Sequence, residues 1–467
     1  MAYTHYDRLT ALDTSFLDVE SHGVHMHVGS VGLLDAGPLL GSDGALDFDA
    51  ILELVGAGLR RAPRFRQRLA YAPLTGDPVW VDDEHFNLVY HVRHTALPLP
   101  GDERRLKRLV GRLMSQKLDR AKPLWELWFV EGLEMDRLAV ISKVHHCLID
   151  GISGVDLLAA FMGRDPEYRV EAGEQRWIPR PAPGPLRLLA DQARRRASVP
   201  WRAAGALGRA LGEPRKTLEN VSRAASGFTE VMGRAARSAS PTPFNVPIGP
   251  HRRFDWTHFD LDVVREVRTK LGGTVNDVVL ACVAGASRRF LGHRGVSLDD
   301  IDFRAFVPVS TRREEERGKL GNRVSMLVAS LPVDEPDPRK RLEAVIEETR
   351  KIKRSGQVEG SEALEELSDW TSTALLTGIT RLAGSRRASN LVVTNVPGPQ
   401  FPVFLNGARL LESYPLVPLY ENNALGIALF GYDGRIFWGF NADWDALPDL
   451  HDFVTAIDHE FETLRKQ

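Results

Sequence analysis

The chain lacks most of the features that mark secreted, disulfide-stapled or nucleic-acid-binding proteins. Only two of its 467 residues are cysteines, Cys147 and Cys282, which excludes a disulfide framework and favours a reducing compartment. The formal net charge of -2 excludes the overall basic field of a general nucleic-acid binder, so we expect no nucleic-acid partner. The N-terminus has no basic start followed by an apolar core and does not resemble a secretory signal. We therefore predict a cytoplasmic protein.

The sequence also lacks a long hydrophobic run. Arg, Lys, Asp or Gly interrupts every apolar stretch before it reaches the ~20 residues that a membrane-spanning helix requires. Any contact with membrane is therefore predicted to be peripheral. What the chain does have is length and an ordinary balance of 43% hydrophobic and 26% charged residues, enough for two domains that each bury a core.

Strand-like and helical patterns alternate through the first 170 residues. The predicted elements are strands at 27–34, 124–133 and 138–145 and helices at 48–63 and 104–118. This alternation indicates a mixed α/β domain, which we assign to residues 1–170.

A change in composition separates this domain from a second one. Residues 171–250 are rich in Pro, Ala, Arg and Gly, which is typical of a linker with a few helical turns, and their basic and apolar side chains also fit contact with anionic lipid. Order returns over residues 251–467, where we predict a second α/β domain without a clear sequence repeat of the first. Its predicted elements are strands at 252–261, 302–310, 323–331, 389–396, 424–432 and 435–441 and helices at 261–271 and 274–291.

The stretch HHCLIDG, residues 145–151, is compatible with three kinds of functional site. The first is a metal site. Consecutive residues at a strand end point to opposite faces, so His145, His146 and Cys147 do not converge on one ion. Apart from His25 and His27, no cluster with metal-ligand spacing accompanies them. We predict no metal.

The second chemistry is that of a serine hydrolase. The sequence GISGV misses the G-x-S-x-G elbow because Val155 stands where the second glycine is needed. The order of His before Ser153 also matches none of the familiar triads. We expect Ser153 to lie in the first turn of a helix.

The third chemistry is acyl transfer with a histidine base. A strand delivers His145 and His146 to its carboxyl end, a tight turn ends at Asp150-Gly151, and a helical pattern follows. A neutral imidazole, with an ordinary pKa near 6.5, can take the proton of an alcohol as it attacks a carbonyl, without a covalent enzyme intermediate. Asp150 is placed as a turn-former and helix cap.

The same stretch matches the HHxxxDG motif of the coenzyme-A-dependent acyltransferases, a superfamily that includes chloramphenicol acetyltransferase and peptide-synthetase condensation domains. The neighbouring blocks sharpen the match to the bacterial wax ester synthase/acyl-CoA:diacylglycerol acyltransferases, and the resemblance covers nearly the whole chain outside the linker. The blocks that resemble this family are, in order, LTALDTSFLDVES...HMHVGSVGLLD, KPLWELWFVEGL, TVNDVVLACVAGASRRFL, VPVSTR, GNRVSMLVASLPV and TNVPGP.

This resemblance implies a fold and a catalytic base. The fold would be α/β, with two chloramphenicol-acetyltransferase-like domains and the active-site tunnel at their interface. Acyl-CoA would enter from one face as a substrate, not a cofactor, and the acceptor alcohol from the other. His146 would be the general base and His145 a supporting residue.

The resemblance also assigns roles around the motif. It pairs Asp150 with an arginine, for which Arg66 is the first candidate and Arg68 the second, although both could be surface arginines on a strand edge. Gly151 completes the motif on the substrate side. We expect Cys147, beside the base but without a basic partner of its own, to be a buried inert thiol.

Two further blocks carry candidate site residues. Asn276 would stabilise the oxyanion, since acyl transfer develops one and an amide is a suitable donor. Asp277 is either a substrate contact or the cap of the helix that follows. Pro123, Leu124 and Trp125 would form the wall of the substrate site, although such residues also serve as plain packing.

The function implied is esterification of diacylglycerol to triacylglycerol, with long-chain alcohols as a second acceptor class that yields wax esters. The block at 395–399 would shape the acyl channel or the domain crossing. A wax ester synthase preferring fatty alcohols, a condensation domain and an inactive lipid-binding member of the fold are the alternatives. We expect the protein to associate peripherally with membrane or lipid-droplet surfaces.

Overall fold

The computed structural model describes residues 5–148, 161–167, 177–194, 197, 238–310, 324–354 and 387–467. The strands are β1 (Asp7–Arg8), β2 (His27–Asp35), β3 (Gln67–Tyr71), β4 (Pro78–Asp82), β5 (Val92–Ala96), β6 (Trp125–Glu131), β7 (Arg137–His145), β8 (Arg252–Asp260), β9 (Arg304–Ser310), β10 (Val324–Ser330), β11 (Leu391–Pro397), β12 (Phe404–Leu405), β13 (Ala408–Leu416), β14 (Leu425–Tyr432) and β15 (Arg435–Asp443). The helices are α1 (Ala11–Asp18), α2 (Phe48–Gly58), α3 (Leu88–His91), α4 (Glu103–Met114), α5 (Leu261–Leu271), α6 (Val275–His293), α7 (Pro338–Arg354) and α8 (Leu450–Arg465).

Two six-stranded sheets organise the two halves, and a three-stranded sheet stands beside the first. The N-terminal sheet has the order β12-β13-β2-β7-β6-β5, the C-terminal sheet β10-β9-β11-β14-β15-β8, and the small sheet β1-β4-β3. Each large sheet carries its own apolar core. The mixed α/β class with two sheet-rich units is therefore confirmed.

Helix boundaries follow local polar contacts. Asp102 caps α4 by accepting the Arg105 N–H at 2.8 Å. Thr274 and Asp277 form a reciprocal capping box at the start of α6, which confirms the cap predicted there. Gly272, with φ of 91°, ends α5 in a conformation that favours glycine.

Strand β13 belongs to the N-terminal sheet although it lies late in the chain. It pairs antiparallel with β2, placing Tyr414 opposite Val31. It also packs against the C-terminal sheet, where a Cβ on Gly439 would stand 1.8 Å from the Pro415 carbonyl oxygen. The chain limits assigned to the two domains remain a prediction, but this strand from within 251–467 completes the sheet of the first half.

Helix α4 and strand β8 join the two halves a second time. A Cβ on Gly111 would lie 2.7 Å from the Arg252 carbonyl oxygen, so the absence of a side chain there permits close approach. The Arg252 N–H donates to Ser115 Oγ at 2.8 Å, and Lys107 pairs with Asp255.

Part of the predicted linker is docked on the small sheet. Within 177–194, Leu188 packs in a cluster with Val79, and Arg180 forms an ion pair with Asp82 at 2.9 Å. Across the described ranges, no helix combines the length and apolar character needed to cross a bilayer.

Candidate active site

The backbone of the two motif histidines is fixed by hydrogen bonds to neighbouring segments. His145 ends β7, and His146 begins a 3₁₀ turn that runs to Leu148. The His145 N–H donates to the Leu124 carbonyl at 3.0 Å and the His146 N–H to the Met26 carbonyl at 2.7 Å. Two separate stretches of the N-terminal half thus hold the motif in place.

The imidazole of His145 faces the interior. Its Nδ1 accepts the Cys147 N–H at 3.1 Å, and its Nε2 lies 3.3 Å from the Glu20 carboxylate. The residue is 1% exposed. An imidazole with both nitrogens facing protein groups is suited to support and not to proton exchange with a substrate.

Glu20 is the charged anchor of this arrangement. Its buried carboxylate receives the Met26 N–H at 3.2 Å and the Arg120 guanidinium at 2.7 Å. Although burial raises its pKa, the contacts with His145 and Arg120 outweigh burial and lower the pKa to about 2. A permanent carboxylate therefore stands behind His145, and through Met26 it is linked to the backbone of His146.

His146 has the properties of a base. Phe16 packs on its ring with centroids 4.0 Å apart, its Nδ1 is buried without a hydrogen-bond partner among the described residues, and the side chain is half-buried. Burial lowers its pKa to about 4, and the neighbouring His145 adds to the lowering. The ring is therefore neutral at pH 7, and its role as the base remains a prediction.

The predicted pair between Asp150 and an arginine falls partly outside the described residues. Asp150 and Gly151 lie outside the described residues, as does Ser153. Arg66 donates to the Gly56 carbonyl at 3.0 Å, and burial lowers its pKa. The pairing of an arginine with Asp150 remains a prediction.

Arg68, the second candidate, and the Trp177 ring beside Arg66 both lie among the described residues. Arg68 lies 3.8 Å from the Asp83 carboxylate. The guanidinium of Arg66 stands over the Trp177 ring at 5.4 Å. Neither contact decides between the two arginines.

The block Pro123, Leu124 and Trp125 is buried beside the motif. Leu124 supplies the carbonyl that holds His145, and the indole of Trp125 donates to the Phe65 carbonyl at 2.7 Å. The three residues therefore pack beside the motif and support it. Their contact with substrate remains a prediction.

Asn276 lies on the first turn of α6 and is exposed. Its side-chain oxygen accepts a hydrogen bond from the Asn395 amide at 2.6 Å, which leaves its own NH₂ group free to donate. Val396, next to Asn395 at the end of β11, packs against the core of the N-terminal half. The amide thus lies in the part of the second half that approaches the first.

Asp277 is engaged in helix capping. One carboxylate oxygen accepts both the Thr274 N–H at 2.7 Å and its hydroxyl at 2.8 Å, and the other accepts the Thr349 hydroxyl at 2.7 Å. The cap is therefore present, whereas the substrate contact stays a prediction.

Both thiols are buried. Burial raises the pKa of Cys147 far above its ordinary value and raises that of Cys282 as well. Such thiols are protonated at neutral pH and poor nucleophiles, as expected for Cys147.

Sequence reasoning missed Glu20 and Lys143, and it included Asn395 only in the block at 395–399, without its contact to Asn276. Lys143 is fully buried in β7 and donates to the Leu113 carbonyl at 2.9 Å. A lysine within the apolar run AVISKV was a signal of a paired buried charge. Nothing in LDVES distinguishes Glu20 from a solvated acid.

Residues 9–279 match the family model of the wax ester synthase/diacylglycerol acyltransferase catalytic domain, and residues 320–465 match that of the WS/DGAT C-terminal domain. A probable diacylglycerol O-acyltransferase of Mycobacterium tuberculosis is 32% identical, with 97% of this chain and 94% of the relative covered. O-acyltransferase WSD of Acinetobacter baylyi is 29% identical, with 97% and 96% covered.

Solved structures agree. The wax ester synthase/diacylglycerol acyltransferase from Marinobacter aquaeolei VT8 has a TM-score of 0.68 at 28% identity and covers 98% of each chain. The first condensation domain of the CDA synthetase, with a TM-score of 0.59 at 16% identity, covers 99% of this chain and 95% of its own and shares the fold. The chain belongs to the wax ester synthase/diacylglycerol acyltransferase family.

Proposed function

We propose that this protein is an acyl-CoA-dependent O-acyltransferase that esterifies diacylglycerol to triacylglycerol and long-chain alcohols to wax esters, with His146 as its general base. The observation that carries the proposal is the half-buried His146 imidazole, which packs on Phe16 and is kept neutral at pH 7 by a pKa of about 4. The names of the relatives support the same reaction class.

The reaction requires one proton to be moved twice. His146 Nε2 accepts the proton of the acceptor hydroxyl while that oxygen forms a bond to the thioester carbonyl carbon. The carbon–sulfur bond then breaks, and the imidazolium returns the proton to the CoA thiolate. Burial makes the imidazolium a strong acid, so the second transfer is favourable.

The oxyanion of the tetrahedral intermediate needs a donor. The NH₂ group of Asn276 fills this role in the proposal, because Asn395 occupies the side-chain oxygen and so fixes which way the amide points. No cofactor is proposed, since acyl-CoA is consumed as a substrate.

Product analysis tests the function. Purified protein is incubated with labelled palmitoyl-CoA and either diacylglycerol or hexadecanol. Labelled triacylglycerol supports the proposal. Wax ester alone replaces it with a wax ester synthase preferring fatty alcohols, and binding of lipid without product leaves an inactive member of the fold.

The acceptor is insoluble in water, so we also propose peripheral association with membrane or lipid-droplet surfaces. Three apolar side chains on and beside the small sheet are strongly exposed: Leu74 at 94%, Ile178 at 79% and Leu186 at 82%. Arg187 and Arg194 stand in the same docked segment and are suited to anionic headgroups.

Sedimentation with phosphatidylglycerol-containing vesicles tests this surface. Replacing Leu74, Ile178 and Leu186 with serine is expected to reduce the bound fraction. A matched control replaces Leu99 and Met135, which are exposed elsewhere. Equal binding by both variants would exclude the surface.

A further inference from the structure

Helix α4 carries a row of unneutralised arginines. Arg104, Arg108 and Arg112 follow one another at i, i+4 and i+8, which places them on one face of the helix, and all three are exposed. Among the described residues, none forms an ion pair with any of them. Like charges so spaced repel each other, so an external anion would relieve the row.

The acidic residues of the same helix are already engaged. Asp102 pairs with Arg105, and Glu103 pairs with Lys107. Lys107 also reaches across to Asp255 of β8. The basic row therefore keeps its charge.

A fourth arginine extends the row onto the other half of the protein. Arg253 follows the buried Arg252 on β8 and so points to the opposite side of the strand. Its guanidinium stacks on Trp444 at 3.7 Å, with Nε donating to the Trp444 carbonyl at 3.0 Å. Burial lowers the pKa of Arg253, the Asp445 and Asp449 carboxylates oppose this, and the nearby Arg108 guanidinium adds to the lowering. A Cβ built on Gly111 of α4 would lie 3.8 Å from the Arg253 Cα, so Arg253 lies against this helix at the junction of the halves.

The end of α4 leads to the motif histidines. The Leu118 N–H, just beyond the helix, lies 3.4 Å from His27 Nε2. The His27 ring in turn stands edge-on to the His145 ring at 6.2 Å between centroids. The helix extends from this point along the surface for ~18 Å, the length of its twelve residues.

We propose that Arg104, Arg108, Arg112 and Arg253 bind the phosphate groups of acyl-CoA, an inference that rests on the proposed function. Coenzyme A carries its diphosphate and 3′-phosphate at one end of a long flexible arm and the thioester at the other. A cation cluster set back from the histidines matches that layout, and guanidinium groups bind phosphate in bidentate fashion. The apolar side chains proposed for lipid contact at Leu74, Ile178 and Leu186 belong to a different part of the chain.

The test compares thioesters with and without phosphates. In the 467-residue chain, Arg104, Arg108 and Arg112 are replaced together by glutamine, and rates are measured with lauroyl-CoA and with lauroyl-pantetheine on one soluble alcohol. The KM for lauroyl-CoA is expected to rise about tenfold or more, which corresponds to ~1.4 kcal/mol. The kcat and the KM for lauroyl-pantetheine are expected to stay the same.

A control variant separates this from a general charge effect. Replacing Arg265, Arg268 and Lys270, exposed on α5, removes the same charge and is expected to leave both KM values unchanged. The proposal is overturned if the α4 variant keeps the parent KM for lauroyl-CoA, if both thioesters shift equally, or if only vesicle binding is weakened.

A binding measurement tests the arginine site separately from the proposed catalytic activity. Isothermal titration with coenzyme A needs no turnover, and the α4 variant is expected to lose about tenfold in affinity, more at low than at high salt. A parent protein that binds coenzyme A but makes no ester would contradict the function alone. Equal affinity of parent and variant would contradict the arginine cluster alone.

Discussion

At the scale of single residues, the proposed reaction depends most on the imidazole of His146. His146→Ala is expected to lower the rate about 10²–10⁴-fold, the usual contribution of a general base, while the protein stays folded. His459→Ala, a change at an exposed histidine of α8, is the matched control and should keep full activity. Turnover within a few-fold of the parent would show that another group takes the proton.

The depressed pKa of His146 predicts an unusual pH dependence. Only the neutral ring accepts a proton, so activity falls as the pH drops through the pKa of about 4, not through the ordinary value near 6.5. The kcat/KM is therefore expected to be nearly flat from about pH 7.5 to 5.5. An acidic limb centred between pH 6 and 7 would mean that the active imidazole is solvated.

What the sequence could predict at this scale depended on local pattern. The adjacency of His145 and His146 and the cap at Thr274 and Asp277 lie within short segments and could be predicted. The contacts of Glu20 with His145, and of Asn395 with Asn276, join segments 125 and 119 residues apart, and no local pattern encodes such pairs.

At the scale of elements, Gly111 allows helix α4 to pack closely against strand β8 of the other half. In a solvated helix, Gly→Ala stabilises by up to about 1 kcal/mol. Gly111→Ala should destabilise instead, because its Cβ would lie 2.7 Å from the Arg252 carbonyl oxygen. Gly292→Ala in α6, with nothing within 4 Å of the new atom, should be neutral or stabilising.

Denaturant midpoints of the two variants and the parent check this prediction. The two changes remove the same backbone freedom and add the same methyl group, so their difference isolates the helix–strand contact. Midpoints that move in the same direction would mean that α4 and β8 separate easily in solution.

Elements with clear periodicity were predictable, and elements defined by distant partners were not. The predicted strands over 138–145 and 424–432 correspond to β7 and β14. Strand β13 went unpredicted because its sequence, ARLLESYPL, lacks regular alternation and its register against β2 contains a bulge. Its conformation depends on a partner strand from the start of the chain.

At the scale of the whole molecule, buried histidines set the response to acid. Burial lowers the pKa of both His25 and His91 to about 4, whereas an unfolded chain has histidines near 6.5. Between these values the unfolded state binds more protons, so the free energy of unfolding decreases as the pH falls from about 6.5 to 4. The depressed carboxylate of Glu20, with a pKa of about 2, contributes only below about pH 4.5.

Denaturant unfolding at pH 7 and pH 5 measures this loss. The midpoint is expected to be lower at pH 5, and His91→Gln is expected to reduce the difference because one buried imidazole is removed. The exposed His459→Gln should leave the difference as in the parent. A midpoint that is the same at both pH values would contradict the burial of these rings.

The late position of β13 has a consequence for synthesis on the ribosome. Until residues 408–416 have emerged, β2 presents an unpaired edge, and its sequence HVGSVGLLD is largely apolar. An open strand edge is a template for pairing with another chain. A nascent chain therefore carries its histidine motif on an unfinished sheet while about 260 further residues are added. A product ending at residue 400 is expected to aggregate, whereas the chain of residues 1–467 is expected to remain dispersed.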